Sequence, residues 1–192
     1  MTQRELGHLE KEIDLRQRVL AAATSVFIED GTVEASLEKV AGRAGIDVRV
    51  LMALFPTRID LLAKLAGHLY VSAFPYDGTW RHRSDLASFI RTYLQRQERP
   101  EVRLVWHIGD VLAPVQPDRI DAAYWHLAGE LELRLLDRGL AQESAHRCSL
   151  VLTPALMLVA RRAAFDLTTQ AELRDFVAAA CGMADALVPG SG

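Results

Sequence analysis

The chain has 192 residues, 50% of them hydrophobic and 24% charged, with 22 Lys and Arg against 25 Asp and Glu for a formal net charge of −3. That composition excludes wholesale disorder, and the near-neutral balance excludes a polybasic nucleic-acid coat, although it leaves room for a local contact surface. Two cysteines, Cys148 and Cys181, cannot build a disulfide framework or a Cys-rich zinc site on their own.

The first residues, Met1 to Asp14, interleave Arg4, Glu5, Glu10, Lys11 and Glu12 and contain no apolar run that could serve as a signal-peptide core. Helical periodicity then dominates, and nothing alternates as a half-buried strand would. A helix is expected from about Leu15 to Glu29, with Val19, Ala22, Ala23, Val26 and Phe27 on one face. Gly31 is a natural stop, because glycine tolerates the left-handed conformation in which helices often end. Ser36 offers an N-cap oxygen to a second helix carrying Leu37, Val40, Ala41 and Ala44. Gly45 ends that helix, and Asp47 can cap a short third one, Val48 to Leu54. Pro56 closes the third helix, and Thr57 or Asp60 can open a fourth with Leu61, Leu62, Leu65 and Leu69. The four-residue turn Gly45-Ile46-Asp47-Val48 lets the third helix cross the second while both bury one face. This arrangement is a helix-turn-helix candidate.

Loop chemistry follows in Ser72 to Thr79. Longer helices are expected at about Ser84–Gln97, Glu101–Leu112, Asp118–Arg138, Gln142–Leu167 and Gln170–Leu187, the last with Thr169 as a cap, and the tail 189–192 is expected to fray. The most apolar stretch, Leu150 to Ala160, is about half the ~20 residues of a spanning helix, and Pro154 interrupts it, so no membrane contact and a cytoplasmic location are expected. The expected fold class is all-α, with a helix-turn-helix domain at 1–58, a larger helical domain at 59–188 and a flexible tail at 189–192.

The stretch Arg18 to Leu62 resembles the N-terminal domain of the TetR family of transcriptional regulators. Val19-Leu20-Ala21-Ala22-Ala23 leads to Phe27 and Glu29-Asp30-Gly31. Ser36-Leu37-Glu38-Lys39-Val40-Ala41 leads to Ala44-Gly45-Ile46, and Leu51, Phe55-Pro56-Thr57-Arg58 and Leu61-Leu62 complete the set. The resemblance implies a homodimer that presents two recognition helices to successive major grooves of a near-palindromic operator, as a repressor whose affinity a small molecule bound in the C-terminal domain lowers. If DNA is bound, the candidate contacts are Ser36, Arg49, Thr57 and Arg58, with Lys39 a weaker one. Ser36 and Thr57 also read as plain helix caps, and Arg49 as a solvated surface arginine. Two departures stand out: Met52 and Leu54 occupy positions where the family usually has Tyr and a His or Tyr, while Arg58 keeps a positive charge where Lys is common.

The third helix is poor in hydrogen-bonding groups, since of Val48 to Leu54 only Arg49 can donate from its side chain. Residues 1–68 hold nine Lys and Arg against ten Asp and Glu, so no general positive field assists. The competing reading is therefore a small-molecule binding protein of the same fold with weakened or lost DNA binding.

No catalytic signature is present: there is no Gly-x-Ser-x-Gly elbow, no phosphate-binding Gly-rich loop and no His-Glu-x-x-His pair. The six histidines are scattered, and Glu130 and Glu132 point to different sides of a helix, so no enzyme, metal or cofactor is expected. Trp106, His107, Tyr124, Trp125 and His126 are the candidate effector-site residues, an apolar lining with a few polar handles, against the alternative of plain core packing. Trp80 and His82 are weaker candidates. The last two helices are the expected dimer interface, through Leu150, Pro154, Leu158, Phe165, Phe176, Val177, Ala180 and Met183, with Ala178, Ala179 and Gly182 permitting close approach.

Overall fold

The computed structural model describes residues 3–73 and 85–188. The described residues fold into helices α1 (Gln3–Asp30), α2 (Leu37–Ala44), α3 (Val48–Leu54), α4 (Arg58–Ala73), α5 (Leu86–Gln95), α6 (Pro100–Leu112), α7 (Pro117–Asp137), α8 (Gln142–Ala164) and α9 (Gln170–Asp185), with a single 3-10 turn at Arg96–Glu98. No strand occurs among them, and none of these helices is long and apolar enough to cross a membrane.

Two compact units form. The first contains residues 3–73 together with 104–112. Its core follows from the helical spacing of apolar residues: Val19, Ala23, Val26 and Phe27 of α1 are buried with Val40, Ala41 and Ala44 of α2, Leu51 of α3, Phe55, and Leu61, Leu62 and Leu65 of α4. Leu104, Ile108 and Leu112, four residues apart along α6, join the same core.

Local chemistry sets where these helices begin and end. The Ser36 hydroxyl accepts a bond from the Lys39 N–H at 3.2 Å and starts α2. Gly45 closes α2 at φ 69°, a left-handed conformation that costs a side-chain-bearing residue roughly 1–2 kcal/mol, and the Ile46 N–H returns to the Ala41 carbonyl at 3.0 Å. Asp47 accepts from the Arg49 N–H at 2.7 Å and starts α3. Thr57 and Asp60 cap α4 reciprocally: the Thr57 N–H and hydroxyl donate to the Asp60 carboxylate at 3.0 and 2.7 Å, while the Asp60 N–H donates to the Thr57 hydroxyl at 3.1 Å.

The second unit contains residues 85–103 and 113–188. Helices α7 and α8 pack along each other, burying Leu127, Leu131 and Leu135 on one side and Ala145, Leu152, Leu156 and Ala160 on the other. Helix α5 contributes Leu86, Phe89, Ile90 and Leu94, and a Thr169–Glu172 capping box starts α9. Pro154 sits inside α8 without breaking it. A proline has no N–H to offer the carbonyl four residues back, and the carbonyl so deprived, that of Leu150, accepts the Tyr124 hydroxyl of α7 at 3.3 Å.

Helix limits depart from the sequence expectation at several places. Helix α1 begins at Gln3, twelve residues before the expected Leu15. Ser72 and Ala73, expected in a loop, close α4. Helix α8 stops short of the expected Leu167, with Asp166 in a left-handed turn at φ 55° just after it, and α9 ends at Asp185, before the expected Leu187. The remaining expected loop residues 74–79, the candidates Trp80 and His82, and the tail 189–192 lie outside the described residues.

Candidate nucleic-acid interface

In the first unit, α2 and α3 form a helix-turn-helix whose third helix buries one side only. Leu51 and the following Phe55, four apart, are fully buried. Arg49 and Ala53, also four apart, lie on the opposite face and are exposed. Val50 and Met52 flank that face at 41% and 50% exposure. Arg49 makes no side-chain hydrogen bond or ion pair among the described residues, its backbone N–H alone being held by Asp47.

The other candidate contacts fare differently. Arg58 is turned inward: its Nη1 donates to the carbonyls of Val33 and Ala35, both at 2.8 Å, and pins the segment between α1 and α2. Only Nη1 is used in these two bonds, which tie the guanidinium to the backbone of the first unit. Lys39 pairs with Asp30 across α1 and α2. Ser36 and Thr57 are both caps; the Ser36 hydroxyl retains its proton as a donor, whereas the Thr57 hydroxyl both donates to and accepts from Asp60.

Further cations of this unit are held in the same way. Arg43 donates to the Glu29 carboxylate at 2.7 and 2.6 Å. That guanidinium, with help from the Ser25 hydroxyl, holds the Glu29 carboxyl down to about 2. Arg18 donates to the Ala44 carbonyl at 2.8 Å, satisfying the C-terminal end of α2. Arg16 bonds Glu12 at 3.1 and 3.0 Å and lies 5.6 Å from the centre of the Phe55 ring. Sequence reasoning missed these roles of Arg18 and Arg43. The i, i+4 spacing of Glu12 and Arg16 was the one local signal available.

The candidate effector residues divide between the units. Trp106 and His107 belong to the 104–112 segment of the first, Trp106 half-buried and His107 exposed. In the second unit Tyr124 stands edge-on to Trp125, ring centres 5.1 Å apart, with Trp125 at 59% exposure and His126 half-buried. Sequence reasoning missed the most buried charge there: Arg134 donates to the Glu130 carbonyl and carboxylate at 2.7 and 2.9 Å, its guanidinium 3.9 Å from the centre of the Phe89 ring. Nearby in the chain, burial pushes the Tyr93 hydroxyl upward, and buried Gln97 donates to the Tyr93 carbonyl at 3.0 Å.

The candidate dimer residues also separate. Pro154 and Leu158 are exposed on α8, as is Val151. Leu150, Phe165, Phe176 and Met183 are half-buried. Val177 and Ala180 are buried against their own unit and have almost no surface left to offer a second copy. Exposed small residues of α9 include Ala178, Ala179 and Gly182. Among the described residues no group of three or more His, Cys, Asp or Glu could hold a metal ion.

No protein-family model matches the chain, and no curated protein matches it. Solved structures do. A transcriptional regulator from Rhodococcus sp. RHA1 is similar at 19% identity and a TM-score of 0.69 over 88% of this chain and 94% of its own. A protein from Mesorhizobium loti assigned to the TetR family of transcriptional regulators is similar at 17% identity and a TM-score of 0.66, over 91% and 96%. A TetR-like transcriptional regulator from Rhodococcus sp. RHA1 is similar at 19% identity and a TM-score of 0.51, over 88% and 93%. At such identities the likeness is one of architecture, carried through nearly the whole length of both chains: this chain has the all-α fold of the TetR-type transcriptional regulators.

Proposed function

We propose that the protein is a DNA-binding transcriptional regulator, a homodimeric repressor of a near-palindromic operator, relieved by a small-molecule effector. The observation that carries the reading is the α2–α3 helix-turn-helix, whose third helix keeps its Arg49–Ala53 face exposed while Leu51 and Phe55 anchor it. The structural neighbours, described as transcriptional regulators, support it. Arg49 is the base reader, Ser36 and Lys39 sit at the start of α2, and Thr57 and Arg58, at the start of α4, are further proposed contacts. A pair of such heads must stand about 34–36 Å apart to enter successive major grooves, so a ligand that favours another spacing weakens binding.

The homodimer is supported by the apolar exposed stripe of α8, Val151, Pro154 and Leu158, and by the exposed small residues Ala178, Ala179 and Gly182 of α9. Two helices from each copy would form a four-helix interface about a two-fold axis. The effector is proposed to meet Tyr124, Trp125 and His126 of the second unit, with Trp106 and His107 of the first kept as separate candidates, and a tryptophan fluorescence titration against a metabolite panel tests this.

The deciding experiment is an electrophoretic shift or footprint on the DNA flanking the protein's own coding region at low salt. A discrete protected site is expected; absence of any binding overturns the proposal. A specific observation favours a second reading, that of a small-molecule binding protein without operator binding: α3 carries a single side-chain donor, and Arg18, Lys39, Arg43 and Arg58 are held by partners within the head.

A further inference from the structure

We propose that α3 reads its half-site mainly through thymine methyl groups, with Arg49 as its one guanine reader. This rests on the operator-binding reading above and gives it a sequence preference. The outward face of α3 holds four exposed side chains, Arg49, Val50, Met52 and Ala53, and three of them carry no hydrogen-bonding group. In the major groove guanine offers two acceptors that a guanidinium can take together, and thymine alone offers an apolar group, its C5 methyl. The free guanidinium of Arg49 matches the first. Val50 and Met52, half in water although apolar, match the second, Met52 with an unbranched thioether that adapts to the shape it meets.

Ala53 shares the Arg49 face and adds no bulk, so the helix can approach the base edges closely. Arg49 and Ala53 stand ~6 Å apart along the helix axis, which is about two base steps at 3.4 Å. The thymines read should therefore lie within about two base pairs of the guanine. A protein partner fits this face poorly: four small or medium side chains fall far below the roughly 20–30 residues a side of a stable protein interface. The phosphate backbone offers little substitute for base readout here, because Arg18, Lys39, Arg43 and Arg58 are engaged within the head.

The test is a selection from random duplex DNA with the full chain, followed by affinity measurements on the enriched duplex remade with deoxyuridine in place of thymine. That exchange removes the C5 methyl and nothing else. About a fourfold loss of affinity is expected for each contacted methyl, the value of burying one such group. The loss should shrink in Met52→Ala and disappear in the double variant Val50→Ala with Met52→Ala. Arg49→Ala should relax the choice of base at the guanine while keeping the thymine preference. All these positions are exposed, and circular dichroism checks that each variant remains helical. An enriched duplex indifferent to deoxyuridine, or a methyl effect unchanged in the double variant, overturns methyl readout and leaves operator binding standing. No enrichment and no binding at low salt overturns both.

Discussion

The Arg58 guanidinium bridges the carbonyls of Val33 and Ala35, more than twenty residues earlier in the chain. Its role is thus to hold the turn from which α2 departs, and the Ser36 cap with it. Replacing it by Arg58→Gln should destabilise the chain by about 1.5–3 kcal/mol, the range for bonds from a charged donor, measured by urea unfolding, and Arg58→Lys should recover part of the loss. Sequence alone shows a cation in a position suited to a phosphate; nothing local reveals the carbonyls it meets after folding. Glu29 carries a pH consequence. Its carboxyl is held down to about 2 in the folded chain, chiefly by the Arg43 hydrogen bonds, against an ordinary value of 4.5. Because the folded value is the lower one, this link contributes fully above pH 4.5 and is lost as the pH falls from there towards 2. The Glu29 carboxyl-carbon resonance should titrate near 2, and Arg43→Gln should return its midpoint towards 4.5.

Among the elements, the caps were legible in the sequence because their chemistry spans only three or four residues: Ser36, Gly45, Asp47 and Thr169 all act where their types suggest. The early half of α1 was not. Its core-facing spacing starts at Val19, whereas the preceding turns carry Leu6, Leu9 and Ile13 exposed among good helix formers. A reading keyed to buried faces stops where burial stops. Pro154 falls inside the expected Gln142–Leu167 helix, and α8 does continue through it, at the cost of one backbone hydrogen bond. The Tyr124 hydroxyl takes the Leu150 carbonyl that Pro154 leaves without a donor. Tyr124→Phe should therefore cost about 0.5–1.5 kcal/mol. In a Pro154→Ala background, where the helix supplies its own N–H, the same change should cost clearly less. A double-mutant cycle by thermal or urea unfolding measures the difference.

For the whole molecule, the all-α class and the helix-turn-helix were readable from spacing, whereas which apolar residues of the last two helices their own unit buries was not. Period 3.6 shows that α9 has apolar faces, but not which of them its own unit takes. Val177 and Ala180 turn out to be buried within a single chain, while Val151 and Leu158 stand at 62% and 63% exposure. The proposed dimer should thus depend on the latter pair: Val151→Asp with Leu158→Asp is expected to sediment near 21.3 kDa with unchanged helix content, and the unaltered chain at twice that mass.

The internal engagement of the head's arginines also bears on how such a molecule would search a genome. Grip on arbitrary duplex comes almost wholly from cations that displace condensed counterions. A head that sets Lys39 and Arg43 against Asp30 and Glu29, with nine Lys and Arg against ten Asp and Glu over residues 1–68, has little of that grip to lend. Such a molecule would slide seldom, arrive mainly by three-dimensional diffusion, and lose few copies to decoy sequence.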